Sequence, residues 1–404
     1  MHGRRTGFGK EERRLPSRHR AGQADGAADV QKVIPLSLYI HFPWCARKCP
    51  YCDFNSHAVQ DGIPEQAYID ALLTDLEAAL PEIWGRSVQT LFIGGGTPSL
   101  MSAAGLDRLL AGVRSRLTLV PTAEITLEAN PGAIEADKFA GFRDAGVTRL
   151  SLGIQSFDDV KLKALGRIHS SHEANQAIEL ALRHFERVNL DLMYALPGQT
   201  LAEARRDIET AIAFGPGHIS AYHLTIEPNT AFGHAPPTVP DDDLAADMQE
   251  MIEARLAAAG HAHYETAAFA RAGQQCRHNL NYWRFGDYLG LGAGAHAKIT
   301  SHLGIRREAR PRGPKDYLAD PATRSWQPVA HHDLPGEFAM NALRLVDGFD
   351  PKLFEERTRL PLDTLAAALA QAEADGLLAR TATRIAPTPL GQRFLNRLIA
   401  QFLV

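Results

Sequence analysis

Three cysteines lie within eight residues, at the spacing C-x3-C-x2-C: Cys45, Cys49 and Cys52. Three thiolates in this pattern can ligate three irons of a 4Fe–4S cubane, which leaves the fourth iron without a protein ligand. An open coordination position is typical of a reactive metal centre. Zinc is the alternative, because His41 or His57 would complete a closed set of four ligands, whereas Cys276 is distant in the chain. The spacing favours the cluster.

Polar residues and glycines follow the apolar runs that come after the cysteine motif. In chain order, the residues concerned are Gly95, Gly96, Thr97, Glu128, Gln155, Arg167 and Asp191. Any one of them alone is explained more simply as part of a tight turn, a helix cap or a salt bridge. Taken together, they predict that polar groups gather at the carboxyl ends of several strands.

Alternating strand and helix patterns must position these residues. Predicted strands cover 34–42, 90–93, 124–127, 148–154, 188–193 and 218–226. Helical patterns separate them, with apolar residues at helical spacing in 68–80 and 106–117 and further helices near 134–145, 159–165, 171–186 and 201–213. Six βα steps predict a parallel sheet covered by helices, closed or nearly closed like a barrel, with one functional rim.

The second half of the chain is less regular. After a helix near 243–259 and a strand at 263–265, residues 270–335 are rich in Gly, Arg, His and Pro. Helices at 337–345, 351–357 and 363–375, a cap at Gly376, a short β segment near 383–386 and a final helix from Thr388 resemble a winged-helix module. Residues 337–404 contain eight Lys/Arg and eight Asp/Glu, so we expect a packing or partner role and no nucleic acid.

Composition sets the remaining limits. A chain of 404 residues, 45% hydrophobic and 22% charged, predicts a soluble protein with two folded units. It has neither an apolar run long enough to span a membrane nor a signal peptide. Clustered cysteines indicate metal in a reducing, cytoplasmic compartment. Residues 1–33 carry eight Lys/Arg against four Asp/Glu and predict a disordered basic tail; Glu11 and Glu12 disfavour a transit peptide.

The cysteine motif after a first strand, with Tyr51 before the third cysteine, resembles the radical SAM superfamily. The resemblance covers residues 35–300 and implies that the open iron chelates S-adenosylmethionine (SAM), whose reductive cleavage gives a 5′-deoxyadenosyl radical. In the coproporphyrinogen dehydrogenase-like branch, the matching SAM contacts are Tyr39, Gly95, Gly96, Thr97, Glu128, Gln155, Arg167 and Asp191. The carboxylates suit ribose hydroxyls or the amino group of SAM, and Arg167 suits its carboxylate.

Two families of this branch differ beside the cluster. Coproporphyrinogen III dehydrogenases carry a fourth cysteine where this sequence has Phe54. The HemW family of heme chaperones has Phe there, in a Cys-Asp-Phe-Asn-Ser-His string that matches residues 52–57. Residues 278–283, His-Asn-Leu-Asn-Tyr-Trp, match the H-N-x-x-Y-W motif of the same family, which is linked there to heme binding. The sequence therefore resembles the HemW family most.

The heme contacts implied by the motif are His278, Tyr282 and Trp283. A neutral imidazole can ligate heme iron, and the two aromatic rings offer flat faces to a porphyrin. A structural histidine in an aromatic cluster is the alternative. Cys276 and His296 are weaker candidates for an axial ligand.

The resemblance implies a heme chaperone that binds a 4Fe–4S cluster, SAM and heme and delivers heme to client hemoproteins, respiratory-chain subunits among them. The cluster and SAM would serve regulation, homodimerisation or transfer, and no catalytic residue is predicted. The alternative is an oxygen-independent coproporphyrinogen III dehydrogenase, which decarboxylates propionates oxidatively. The predicted fold is α/β: a tail (1–33), a partial (β/α)6 radical SAM barrel (34–268), a connecting segment (269–335) and a winged-helix-like domain (336–404).

Overall fold

The structure is a computed structural model that describes residues 34–60 and 62–403. The predicted basic tail, residues 1–33, lies outside the described residues. One mixed sheet organises the rest of the chain. Its twelve strands are β1 (Leu36–Phe42), β2 (Val88–Gly95), β3 (Leu119–Ala129), β4 (Arg149–Gln155), β5 (Arg187–Tyr194), β6 (His218–His223), β7 (Ala262–Glu265), β8 (Ala268–Ala270), β9 (Asp287–Leu291), β10 (His296–Ser301), β11 (Gly304–Ala309) and β12 (Ser325–Pro328).

The strands are ordered β12-β11-β10-β9-β1-β2-β3-β4-β5-β6-β8-β7 across the sheet. Strands β1 to β6 are neighbours in sequence order and pair in parallel, which confirms the six predicted βα steps and the partial barrel. β9 pairs with β1 in parallel, whereas β10, β11 and β12 continue that side in antiparallel pairs. The carboxyl ends of six consecutive strands therefore meet at one rim.

Helices cover the barrel strands on the outside. Around the barrel they are Glu65–Ala79, Ala103–Arg114, Ala133–Ala136, Phe139–Ala145, Asp159–Ala164, Ser171–His184, Leu201–Phe214, Ala231–His234 and Asp242–Ala258, with 3-10 turns at Leu80–Ile83 and Pro98–Leu100. Two of these helices begin with a reciprocal capping box, Ser170 with Glu173 and Thr200 with Glu203. None of the helices within the described residues is long and apolar enough to cross a membrane.

The segment predicted to be irregular, 270–335, is instead structured, and the prediction for it was wrong. It contains helix Arg277–Trp283, strands β9 to β12 and helix Pro314–Ala319. The strand pattern was hidden because one face of these strands carries large polar residues, such as Lys298 and Arg307, that line a cavity. Buried Asp287 accepts hydrogen bonds from Arg86 (2.8 Å) and Lys298 (3.0 Å), so charges that look like loop composition are paired inside the fold.

The C-terminal part forms a second hydrophobic core. Its elements are helices Leu334–Ala342, Pro351–Thr358, Ala366–Ala374, Pro389–Arg393 and Leu395–Ala400, the 3-10 turn Leu362–Leu365 and a hairpin of Leu378–Arg380 with Ile385–Pro387. Phe338 and Phe354 lie at the centre of this core, which Phe285 and Ile305 join from the sheet side. The order of helices and hairpin confirms the predicted winged-helix-like arrangement, and Gly376 takes the left-handed conformation expected of a cap.

Candidate functional site

The three clustered cysteines follow β1 and line one cavity of about 340 Å³, called the cluster cavity below. Cys45 ends a two-residue strand that pairs in parallel with His57–Ala58. The Cys52 amide donates to the Cys49 carbonyl (3.2 Å), and the Val59 amide donates to the Cys45 carbonyl (2.9 Å). These backbone bonds fold the motif into a loop that presents the sulfurs to a common space. Burial raises the pKa of the Cys45 and Cys52 thiols.

Two of the residues considered as a fourth zinc ligand, His41 and Cys276, are engaged elsewhere. Among residues 34–60 and 62–403, no group of three or more His, Cys, Asp or Glu side chains could hold one metal ion. His41 is engaged at both ring nitrogens, by the Tyr39 hydroxyl (3.0 Å) and the Asn55 carbonyl (2.9 Å). Cys276 is buried, and its thiol donates to Glu124 (3.8 Å). A 4Fe–4S cubane does not require several side chains around one ion, because each thiolate ligates a separate iron.

Seven of the eight predicted SAM contacts line the cluster cavity together with the cysteines: Gly95, Gly96, Thr97, Glu128, Gln155, Arg167 and Asp191. They come from the ends of β2 to β5 and the segments that follow, as the rim arrangement requires. The eighth, Tyr39, does not line this cavity but an adjoining one. The grouping of these positions follows from the parallel order of the strands, which brings distant sequence positions to one edge.

Arg167 links this rim to a cysteine. Its guanidinium donates to the Asn130 side-chain oxygen (2.7 Å), the Gly153 carbonyl (2.8 Å) and the Cys49 sulfur (3.7 Å). Its Nε atom is buried and has no hydrogen-bond partner among the described residues. A half-buried cation with an unmatched donor beside a cavity fits the carboxylate of a ligand.

Gly95 and Gly96, at the end of β2, allow the backbone to approach neighbouring groups closely. Gly95 has a φ of +115°, and a Cβ at that position would lie 2.4 Å from the His41 ring. A Cβ at Gly96 would lie 2.5 Å from the Trp44 carbonyl oxygen. Only glycine is compatible with both positions. The turn therefore presents main-chain groups to the cavity.

Two carboxylates stand close together in the barrel interior. Burial raises the pKa of Glu128 to about 7, and the neighbouring Asp191 contributes. Glu128 accepts a hydrogen bond from the Gly95 amide (3.1 Å). Asp191 accepts from the Ser151 hydroxyl (3.0 Å) and the Asn189 amide (2.8 Å), and burial raises its pKa too. Both carboxylates line the cluster cavity, where they could accept further hydrogen bonds from an amino group or hydroxyls of a ligand.

Gln155 adopts a strained backbone conformation at the end of β4. Its φ is +69°, a region that residues other than glycine rarely occupy, and the β4–β5 register shifts at this point. Backbone strain of this kind concentrates at binding sites, where the surrounding structure holds it in place. The strain turns the residue toward the cavity, and this could not be predicted from sequence.

The structure adds residues that the sequence reasoning did not single out. Asn130 bridges Arg167 and the Thr97 hydroxyl (3.2 Å), and Ser56 contacts the Cys52 sulfur (3.8 Å). The same sequence patterns could have indicated both residues, because Asn130 comes two residues after Glu128 and Ser56 lies at the end of the cysteine loop. They hold the more obvious residues in place.

A second cavity, of about 740 Å³, adjoins the first and is called the aromatic cavity below. Tyr39, Tyr282, Trp283 and Tyr288 line it. It also carries four basic side chains: Lys298, Arg307, Arg310 and Arg312. The two cavities share three lining residues: Phe54, Gly95 and Glu128. Its volume lies within the usual range of about 300–1,000 Å³ for small-molecule sites.

The H-N-x-x-Y-W motif forms helix Arg277–Trp283, whose first amides donate to Glu124 (Arg277, 2.9 Å; His278, 3.2 Å). His278 lies inside the fold. Its Nδ1 contacts the Thr90 hydroxyl (2.8 Å), its Nε2 contacts the Tyr282 hydroxyl (3.0 Å), and burial lowers its pKa to about 3.

The motif therefore divides into two parts. Tyr282 and Trp283 reach the aromatic cavity, whereas neither ring nitrogen of His278 is free to bind iron in this conformation. His296 lies on the far side of the same cavity and is exposed.

Known proteins resemble this chain along most of its length. The profile of the Radical SAM superfamily matches residues 39–211, and that of the HemN C-terminal domain matches residues 329–394. Heme chaperone HemW of Escherichia coli is 49% identical over 377 residues, 92% of this chain and 99% of that protein. Heme chaperone HemW of Haemophilus influenzae is 48% identical, covering 93% and 99%, and that of Bacillus subtilis is 32% identical, covering 91% and 99%.

One solved structure shares the whole architecture. Coproporphyrinogen III oxidase (HemN) from Escherichia coli, a radical SAM enzyme, matches with a TM-score of 0.79, covering 95% of this chain and 94% of that chain. The sequence identity is 22%, so this likeness concerns the fold alone.

Proposed function

Because the chain belongs to the HemW family of radical SAM proteins, we propose that it is a heme chaperone, which binds heme and delivers it to client hemoproteins. The observation that carries the proposal is the pair of adjoining cavities. One is lined by the cysteines and the predicted SAM contacts, and the other by aromatic and basic side chains that suit a flat, dianionic porphyrin.

The cluster cavity is proposed to hold a 4Fe–4S cluster on Cys45, Cys49 and Cys52 with SAM beside it. When bound, the cluster would supply an electron and a coordination site for SAM. Arg167 would bind the SAM carboxylate through its unmatched Nε donor. Glu128 would accept hydrogen bonds from ribose hydroxyls or the amino group.

Six further positions would complete the SAM contacts. The backbone at Gly95, Gly96 and Thr97 would lie against the ligand, and Asp191 would accept a second set of hydrogen bonds. Gln155 would add an amide from its strained position. Tyr39 would act from the adjoining cavity, where its hydroxyl holds the His41 ring (3.0 Å).

Heme is proposed to bind in the aromatic cavity against Tyr282 and Trp283. In this arrangement His278 positions the Tyr282 hydroxyl from inside the fold. Phe54 is 62% exposed and stands between the two cavities, where the dehydrogenase family has a cysteine. An apolar ring at this place separates the cluster from the porphyrin without adding a thiol.

The proposal also covers the clients, the assembly and the cellular compartment of the protein. The clients are hemoproteins, with respiratory-chain subunits as first candidates, and a homodimer is the proposed assembly. The cytoplasm is the proposed compartment, since free cluster thiols need reducing conditions. The eight acidic and eight basic residues of the C-terminal part suit a protein partner better than nucleic acid.

One experiment tests the function against the dehydrogenase alternative. The cluster is reconstituted anaerobically, and the same sample is assayed for hemin binding, for heme transfer to an apo-hemoprotein and for coproporphyrinogen III turnover with SAM. We expect stoichiometric hemin binding and transfer without turnover. Catalytic production of protoporphyrinogen, or failure to bind hemin, would refute the chaperone function.

A further inference from the structure

The aromatic cavity lies on one continuous face formed by β1 and the strands beyond it, β9 to β12, called the sheet extension below. Alternate residues of neighbouring strands contribute to this face, because successive side chains of a strand point to opposite sides. In register, Tyr39 pairs with Gly290, Tyr288 pairs with Lys298, and Lys298 pairs with Arg307. His296 lies two residues before Lys298 on β10 and therefore shares its face. The cavity thus has a rigid floor made of strands.

Three histidines lie in or beside this cavity, and they differ in what their ring nitrogens contact. His41 is held at both nitrogens by Tyr39 and the Asn55 carbonyl, and His278 at both by Thr90 and Tyr282. The imidazole of His296 makes no hydrogen bond or ion pair with any residue in 34–60 or 62–403, and the residue is exposed. Of the three, only His296 offers an unoccupied nitrogen to a ligand in the cavity.

The four basic side chains differ in the same way. Three are already paired with carboxylates: Lys298 with Asp287 (3.0 Å), Arg310 with Asp75 (3.0 Å) and Arg307 with Glu337. The guanidinium of Arg312 has no ion-pair or hydrogen-bond partner within the described part of the chain, and it is exposed. It remains available for an anionic ligand group.

We infer that His296 is the axial ligand of heme iron in the aromatic cavity and that Arg312 binds a propionate of the same heme. The inference rests on the proposed function and names the residues that perform it. It moves the iron ligand away from the H-N-x-x-Y-W motif. The aromatic residues of that motif keep their contact with the porphyrin.

Two further observations support His296. Partial burial lowers its pKa, and the nearby charges of Arg307 and Arg312 lower it further, which favours the neutral imidazole that an iron ligand requires. Its backbone lies in a strand, paired with Ala309, and close to Gly290, where a Cβ would lie only 2.0 Å from the His296 carbonyl oxygen. The residue therefore belongs to the sheet and not to a loop.

The test is a hemin titration of the full-length protein, followed by absorbance and electron paramagnetic resonance. His296→Ala is expected to weaken hemin binding about tenfold or more, since one coordination bond is lost, and to remove the histidine-ligated spectrum. His302→Ala, in the exposed turn of the same hairpin, should change neither property. Unchanged affinity and spectrum in His296→Ala would overturn the inference.

A ligand swap separates coordination from simple packing. His296→Cys should bind hemin with a thiolate-ligated spectrum, whereas His302→Cys, in the exposed turn of the same hairpin, should keep the wild-type spectrum. Loss of the spectrum in His278→Ala together with its retention in His296→Ala would return the ligand to the motif. Failure of the wild-type protein to bind hemin would instead refute the proposed function itself, so the two failures are distinguishable.

The propionate contact has its own probe. Arg312→Ala should weaken hemin binding about two- to fivefold, the usual range for one exposed ion pair. The same variant should bind hemin dimethyl ester as tightly as the wild type does, since that ligand has no carboxylates. An equal loss of affinity for both ligands would exclude a propionate contact at Arg312.

Discussion

The cluster cavity and the aromatic cavity adjoin each other but differ in how the side chains assigned to their ligands are held. In the first, polar groups from neighbouring strands are bonded to one another, as in the chain from Arg167 through Asn130 to Thr97. In the second, His296 and Arg312 make no such bonds with the described residues. A preorganised network suits a resident cofactor that must stay in one geometry. Unengaged side chains suit a cargo that is bound and then released.

The two cavities also differ in their place in the fold. The cluster cavity lies at the carboxyl ends of parallel strands, where α/β barrels hold their reactive groups. The aromatic cavity lies on the face of β1 and of β9, β10 and β11. The last three strands belong to the sheet extension, beyond the six βα steps. The two cavities thus rest on different parts of the same sheet.

The sharpest way to separate the cavities is to remove the cluster. We expect Cys49→Ser to lose the iron and sulfide bound after anaerobic reconstitution, because three thiolates are needed for three irons. Hemin binding should persist, since none of the cysteines lines the aromatic cavity. Cys276→Ser is the matched control and should retain the cluster, because this buried thiol contacts Glu124 away from the cluster cavity. Full iron content in Cys49→Ser would contradict the assignment.

A second substitution should weaken SAM binding without affecting hemin binding. Arg167→Ala should reduce SAM affinity about ten- to hundredfold, the worth of one hydrogen bond to a charged group. Equilibrium dialysis with labelled SAM on the reconstituted protein measures this. Arg205→Ala, an exposed arginine on the outer helix Leu201–Phe214, should leave SAM binding unchanged. A matching loss of hemin affinity in Arg167→Ala would show that the two cavities are not separate.

The pKa of Glu128 predicts a pH dependence of stability. The folded-state pKa of about 7 lies above the ordinary value of 4.5, so the folded state holds the proton more tightly than the unfolded state does. This stabilisation is complete below about pH 4.5 and is lost as the pH rises through 7, a change of about 3 kcal/mol. Urea unfolding at pH 5 and pH 8 measures it in the ligand-free protein.

Glu128→Gln should remove most of this decrease, because the amide does not titrate. Glu179→Gln, at an exposed position on helix Ser171–His184, is the control and should behave like the wild type. If the loss of stability between pH 5 and pH 8 is the same in all three proteins, the raised pKa of Glu128 is not its source.

The barrel and its rim could be predicted because their signals are local. Each parallel strand is a buried apolar run, and polar residues such as Glu128 and Asp191 stand toward its carboxyl end, so their gathering at one rim was predictable, whereas their role toward SAM came from the family resemblance. The cysteine spacing and Phe54 are contiguous motifs. What could not be predicted is the strain at Gln155, since a positive φ leaves no mark on residue type.

The sheet extension escaped prediction for a physical reason. Its strands carry basic and aromatic residues on the cavity face. Their composition therefore resembles that of a loop, and the alternation typical of a strand is hard to recognise. The ion pairs that make this burial possible join distant positions, such as Asp287 with Arg86 and Asp75 with Arg310. The different surroundings of His278 and His296 likewise depend on contacts made by the whole fold. Sequence spacing favoured His278, whereas the structure leaves His296 free.

The smallest expected effect tests whether the aromatic motif acts through its rings. Tyr282→Phe removes the hydroxyl that contacts His278 and leaves a buried nitrogen unpaired, which should lower the free energy of unfolding by about 1–2 kcal/mol. Hemin affinity should change less than about twofold, because the ring face remains in the aromatic cavity. Tyr282→Leu removes the face as well and should weaken hemin binding further. If Tyr282→Phe abolishes hemin binding, the hydroxyl and His278 take part in binding directly, and the contrast between a fixed interior histidine and a free cavity histidine fails.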